Sequence, residues 1–204
     1  MKKEPKRRYI IGVDEVGRGP LAGPVCVGAM LLTPRMKKRY RNIKESKQLS
    51  ERQREEWLAR IEEDIGQELR YAVSFVSAKI IDTKGIQYAI RLALKRSLCK
   101  LAADPSLCEV LLDGGLRAPK EYVRQKTIIR GDAKEVAIAM ASVVAKVSRD
   151  RLMVRLNNKY PDYGFERHKG YGTRAHYEAI KNHGISMAHR RSFLSRVDAS
   201  LPCV

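Results

Sequence analysis

The chain has 204 residues and a hydrophobic fraction of 44%, long enough to bury one core and too apolar for a disordered segment. Its 41 Lys and Arg against 23 Asp and Glu leave a net charge of +18, a surface that attracts polyanions and makes nucleic acid the expected partner without identifying any chemistry. Cys26, Cys99, Cys108 and Cys203 form no CxxC pair and no zinc spacing, which points to a reduced, cytoplasmic compartment; the apolar run after the basic leader, residues 1–8, breaks at Gly12 and Asp14, too early for a signal peptide, and no later run is long enough to span a bilayer.

In chain order, residues 9–13 read as a short buried strand that ends at Asp14-Glu15, followed by a glycine- and proline-rich turn over 17–24. A second apolar strand spans 25–32, and Cys26 within it reads as a small core residue. Residues 50–65 form a helix: Ser50 and Gln53 make a capping box, Trp57, Leu58, Ile61 and Ile65 share a face, and Gly66 stops it. Residues 69–77 alternate as a third strand. A helix over 86–102 buries Ile86, Ile90, Ala93, Leu94, Leu98 and Leu101, with Cys99 also read as core. Short strands at 110–112 and 125–129 end in Asp113-Gly114-Gly115 and Gly131-Asp132. Residues 133–148 are apolar on nearly every side, the mark of a helix buried against a sheet, and 174–183 form a last helix stopped by Gly184. The order suggests one α/β unit with a basic, helical C-terminal part.

In so basic a chain, a carboxylate at the end of a core strand needs a reason. Asp14, Glu15, Asp113 and Asp132 all lie at strand or helix ends, and they meet at one sheet edge if those strands are neighbours. Clustered carboxylates repel, and a divalent cation removes the conflict. Two such ions roughly 4 Å apart suit phosphodiester hydrolysis. Each acid alone also fits a plainer role. Asp14 and Asp113 are good turn residues, and Asp132 with Glu135 fits a helix N-cap. Glu15 adds a geometric demand: adjacent strand residues point to opposite faces, so the strand must end or bulge there for both to reach one site.

Residues 12–24, GVDEVGRGPLAGP, resemble ribonuclease HII. The resemblance recurs in order: Glu45-Ser46-Lys47 with Leu49; Leu112-Asp113-Gly114; Gly131-Asp132; Ala141-Ser142 and Ala145 to Asp150; Tyr163-Gly164-Phe165; HKGYGT at 168–173; and HRRSF at 189–193. Together these motifs cover about residues 9–193.

The resemblance implies a ribonuclease H-like mixed sheet flanked by helices, with a catalytic core over 9–160 and a small helical C-terminal extension over 161–204 closing on the substrate in the same compact unit. It implies that Asp14, Glu15, Asp113 and Asp132 ligate two Mg²⁺ or Mn²⁺ ions. It implies an endonuclease that cuts 5′ to a ribonucleotide, leaving 3′-hydroxyl and 5′-phosphate ends. The partners would be RNA/DNA hybrid and ribonucleotide-containing DNA duplex, and the roles ribonucleotide and primer removal. The Gly17-Arg18-Gly19 backbone and Tyr171 would read the ribonucleotide junction, with Ser46 in the neighbouring segment and Lys47, Lys146, Arg149 and Arg190 as phosphate contacts. Arg18 also reads as a surface charge, Tyr171 as a core tyrosine and Lys146 as a snorkelling stem. His168, His176, His183 and His189 are too scattered for a triad and read as surface or hydrogen-bonding residues.

Two departures stand out. Glu45 replaces the family's Asp, and GISMA at 184–188 replaces a proline-containing loop. Ribonuclease HIII shares this core but carries an extra N-terminal domain, whereas here the core starts within ten residues. A non-catalytic nucleic-acid-binding module explains the charge but not the acids. Monomer is the default state, and the tail over 200–204 shows no sliding-clamp motif.

Overall fold

A computed structural model describes residues 9–194; the basic leader, Cys203 and the tail lie outside the described residues. In chain order the elements are β1 (Tyr9–Val16), β2 (Val25–Leu32), α1 (Pro34–Arg39), α2 (Glu51–Glu63), β3 (Leu69–Val76), α3 (Ala78–Lys84), α4 (Ile86–Leu101), β4 (Cys108–Asp113), β5 (Gln125–Ile128), α5 (Gly131–Lys134), α6 (Val136–Lys159), α7 (Phe165–His168) and α8 (Arg174–His183). The five strands form one mixed sheet in the order β3-β2-β1-β4-β5. β1 pairs antiparallel with β2 and parallel with β4, and β4 pairs parallel with β5. The expected mixed sheet flanked by helices is therefore present.

Alternation along the strands separates two layers. Ile11 and Val13 of β1, with Val25, Val27, Ala29 and Leu31 of β2, face α4, where Ala89, Ile90, Ala93 and Leu94 meet them. Met30 and Leu32 face the other way, against α2 and α6. A third cluster joins Leu21 and Ala22 to Met153 of α6 and to Tyr163, Phe165, Ile180 and Leu194 of the C-terminal part.

α6 lies unusually close to the sheet because two glycines face it. A β-carbon at Gly12 would sit 2.1 Å from the carbonyl carbon of Ala137, and one at Gly28 would sit 2.6 Å from the Ala141 oxygen. No side chain fits between helix and strand there.

Several boundaries differ from the sequence expectation. β1 does not end at Asp14: it runs on, unbulged, with Asp14 opposite Gly28 and Glu15 opposite Val27. The buried helix extends to Lys159, far past Ser148, and begins after a separate turn, α5. Asp132 lies inside that turn and Glu135 binds Lys37 at 2.7 Å, so the anticipated N-cap pairing does not form. The Ser50 capping box forms as expected, but α2 stops at Glu63 and leaves Ile65 outside the stripe and 50% exposed. Cys99 is exposed; Ser97 takes the inward position on α4 and donates to the Val27 carbonyl at 2.8 Å.

The backbone contact at Gly12 sets a strong test. Gly12→Ala should lower stability by about 3 kcal/mol or more, dropping the thermal midpoint by about 10 °C. An unchanged midpoint in a thermal scan would show that α6 does not rest on the strand backbone.

Candidate active site

The four acids gather where β1 outruns β4. The last β1–β4 pair is Val13 with Leu112, which sets Asp14 level with Asp113, the last residue of β4, and carries Glu15 past it. Asp14 lies on the α6 face with Gly12, and Glu15 on the face of Ile11 and Val13. The free strand edge lets both sides of the sheet approach Asp113 at the end of β4. The strand neither ends nor bulges at Glu15; its parallel partner ends at Asp113.

Asp14 is nearly buried. Its pKa is pushed up to about 8, by burial first and then by the charges of Glu15 and Asp113, with Asp132 adding less; the Ser142 hydroxyl pulls the other way. Glu15 is also raised, chiefly by burial, while Arg18 at 3.6 Å opposes the shift. Asp113 Oδ1 accepts the Gly131 N–H at 2.7 Å, which ties β4 to the start of α5. Asp132 Oδ1 accepts the Ala133 N–H at 3.1 Å, and its Oδ2 lies 3.6 Å from Lys47 Nζ.

A hard divalent cation suits this donor set. The site offers carboxylate oxygens, it penalises the ionisation of Asp14 and Glu15, and Glu15 Oε2 is buried with no hydrogen-bond partner. The acids do not form a closed cage: among the described residues no group of three or more His, Cys, Asp or Glu stands in a metal-holding arrangement. They sense one another's charge while Lys47 and the Gly131 amide engage two of them.

The segment around Ser46 docks on the same spot. The Ser46 and Ser142 hydroxyls are 2.6 Å apart, which links the segment to Asp14 through Ser142. Lys47 stands out with its side chain 81% exposed. The longer acid at Glu45 accepts from Gln48 at 2.7 Å, so it turns along its own segment and leaves Ser46 seated. Arg54 of α2 fastens this segment by donating to the Ser46 and Leu49 carbonyls at 3.0 and 2.6 Å. Ser142 and Arg54 were not anticipated as site residues. The usable signal was a lone hydroxyl in the apolar stretch Ala137 to Ala145, and an arginine next to the capping box.

Lys146 donates to Asp150 at 2.7 Å, so its ammonium is paired within the helix. Arg149 and Arg190 require a correction: both are fully buried and cannot reach a phosphate. Their donors go to backbone carbonyls of the 17–24 turn and to Lys169. Burial, then the neighbouring Arg149 charge, pushes Arg190 down to about 9, which still leaves it cationic at neutral pH. In that turn Arg18 and Gly19 are exposed and Gly17 is buried.

Tyr171 is 43% exposed, with the Arg149 guanidinium 5.9 Å from its ring centre. Its carbonyl is held by a histidine relay. The Ser186 N–H donates to His189 Nδ1 at 3.0 Å, which puts the His189 proton on Nε2, facing His176 Nε2 at 3.1 Å. His176 then donates from Nδ1 to the Tyr171 carbonyl at 2.8 Å. Burial pushes both imidazoles down to about 4, consistent with this neutral chain. These histidines are therefore interior hydrogen-bonding groups, not surface ones.

A family model described as ribonuclease HII matches residues 11–196. The chain is 43% identical to a ribonuclease HII of Caldicellulosiruptor bescii over 93% of this chain and 88% of that one. It is 46% identical to a ribonuclease HII of Endomicrobium trichonymphae over 90% and 84%. Among solved structures, the ribonuclease HII of Archaeoglobus fulgidus, determined in complex with PCNA, superposes with TM-score 0.76 at 24% identity, covering 96% of this chain and 98% of that one. Bst-RNase HIII in complex with Mn²⁺ superposes with TM-score 0.66 at 18% identity, covering 95% and 71%. The last two likenesses concern the fold.

The raised Asp14 pKa fixes a sign. A carboxyl group that holds its proton more tightly folded than unfolded makes the folded state lose stability as pH rises from about 4 to about 8. In EDTA, Asp14→Asn should therefore match the parent at pH 4 and exceed its melting temperature by about 5–10 °C at pH 8.5. Melting curves whose separation does not grow with pH would contradict the burial and the neighbouring charges that raise the Asp14 pKa.

Proposed function

The chain belongs to the ribonuclease HII family, and from that premise we propose that this endoribonuclease hydrolyses the RNA strand, or a single ribonucleotide, within RNA/DNA duplexes by a two-metal mechanism. The observation that supports it most is a carboxylate, Asp14, whose anion is disfavoured by burial first and then by the charges of Glu15, Asp113 and Asp132, beside a buried Glu15 oxygen that lacks a partner. Asp14, Glu15, Asp113 and Asp132 would hold two Mg²⁺ or Mn²⁺ ions, which when bound supply an activated water and charge stabilisation at the leaving oxygen.

The chain's own residues prepare that chemistry. The Glu15 and Gly131 amides hold Asp14 and Asp113 in place without consuming all their lone pairs. Lys47, tethered through Ser46 yet exposed, is set to meet a backbone phosphate near the acids. The Gly17-Arg18-Gly19 turn would contact the ribose, whose 2′-hydroxyl separates RNA from DNA. Tyr171 would stack on the following deoxyribose, where a hydroxyl would not fit. The surplus of Lys and Arg supplies duplex affinity that weakens with salt. Cleavage would leave 3′-hydroxyl and 5′-phosphate ends, in the service of ribonucleotide and primer removal. No described helix is long and apolar enough to cross a membrane, and the three described cysteines are free thiols. Both fit the cytoplasm, where we place the enzyme.

The decisive assay uses a DNA duplex with one embedded ribonucleotide. Mn²⁺ or Mg²⁺ should support a nick 5′ to the ribonucleotide, and EDTA should abolish it. Asp113→Asn should reduce turnover by about 10³-fold or more, with duplex affinity kept within a few-fold. Near-normal turnover by that variant, or duplex binding without any nick by the parent, would overturn the proposal.

A further inference from the structure

Arg149 and Arg190 are the largest side chains fully removed from water, and among the described residues neither has a carboxylate within ion-pair distance. Burying two neighbouring cations without a counterion is costly, so the carbonyl oxygens around them must supply the compensation. They do so in one place. Arg190 donates to the carbonyls of Gly17 at 2.6 Å, Arg18 at 3.0 Å and Gly23 at 2.9 Å. Arg149 donates to those of Pro24 at 3.1 Å, Ala22 at 3.3 Å and Lys169 at 2.9 Å. The Arg190 N–H takes the Leu21 carbonyl at 2.7 Å. Nearly the whole turn thus points its oxygens inward.

Peptide planarity gives this a consequence on the outer side. In a trans peptide the carbonyl and the next N–H point in opposite directions. Capturing the Gly17 and Arg18 oxygens therefore turns the Arg18 and Gly19 amides outward. Both residues are exposed, and neither amide donates a hydrogen bond within the described residues. A β-carbon at Gly19 would meet nothing within 4 Å, whereas one at Gly17 would lie 2.2 Å from Arg149 Nε. Gly17 is the seat on the arginine pair; Gly19 is the open face. The two positive charges behind the turn raise the potential at those outward donors.

We propose that Arg190, braced by Arg149, is a positioning residue: it aims the Arg18 and Gly19 amides at an oxygen acceptor of the substrate. The inference rests on the function proposed above and deepens it. Arg149 extends the device, because its bond to the Lys169 carbonyl and its place near the Tyr171 ring lock the tyrosine loop to the same turn. The Leu21 N–H, donating to the Gly170 carbonyl at 2.8 Å, adds a second tie. The two surfaces that would flank a ribonucleotide junction therefore share one rigid support. A lysine cannot replace Arg190, since only a guanidinium presents planar, diverging donors to three carbonyls at once.

The test is Arg190→Lys, assayed with Mn²⁺ on a duplex holding one ribonucleotide. KM should rise at least about tenfold, while kcat at saturation stays within about threefold and the Mn²⁺-induced rise in melting temperature matches the parent. Hydrogen exchange should quicken in the 17–24 turn and not in β1 or β2. An unchanged KM, or a fall in kcat with KM unchanged, would overturn the inference. If Arg190→Lys does not fold, Gly19→Ala decides, because its added methyl lies in open space: a raised KM at parental melting temperature sustains the proposal, and a parental KM defeats it. A parent enzyme that neither nicks nor gains stability from Mn²⁺ would instead defeat the function on which the inference rests.

Discussion

A helix reaches backbone contact with a sheet only where the strands carry no side chain, and here that happens at Gly12 and Gly28. The close approach fixes the height and register of α6. Gly28 is the cross-strand partner of Asp14, so the same gap that admits the helix brings Ser142 over the acid. Two turns further along, the same helix delivers Arg149 beneath the 17–24 turn and Met153 against Gly23. One packing constraint thus serves both the acidic cluster and the turn beside it.

The two kinds of buried charge in this protein are handled in opposite ways. The arginines are satisfied by the carbonyls of the turn and of Lys169, and the pair makes that turn rigid. Two of the carboxylates are not at ease: burial first drives Asp14 toward its protonated form, and one Glu15 oxygen has no hydrogen-bond partner. Residues that stabilise a fold are normally paired, and tension of this sort marks a site that expects something from outside. The proposed divalent ions would relieve it, and the positive turn would receive the anionic substrate alongside.

The C-terminal part contributes by support. The neutral His189–His176 relay ends on the Tyr171 carbonyl, and the loop bearing that tyrosine is also held by Arg149. Residues distant in sequence therefore hold one tyrosine loop in place.

Much of this was legible in the chain itself. Alternating and helical periodicities gave the strands 25–32 and 69–76 and the capped start of α2, because local patterning and capping depend on neighbours a few residues away. The ordered motifs carried the family. What the sequence could not settle was what each charge touches. Arg149 and Arg190 read as phosphate contacts and proved to be interior clamps, since a guanidinium's role depends on which carbonyls the fold brings within 3 Å of it. The pairing that sets Asp14 level with Asp113 was likewise out of reach, because strand pairing across some hundred residues is a property of the folded chain alone.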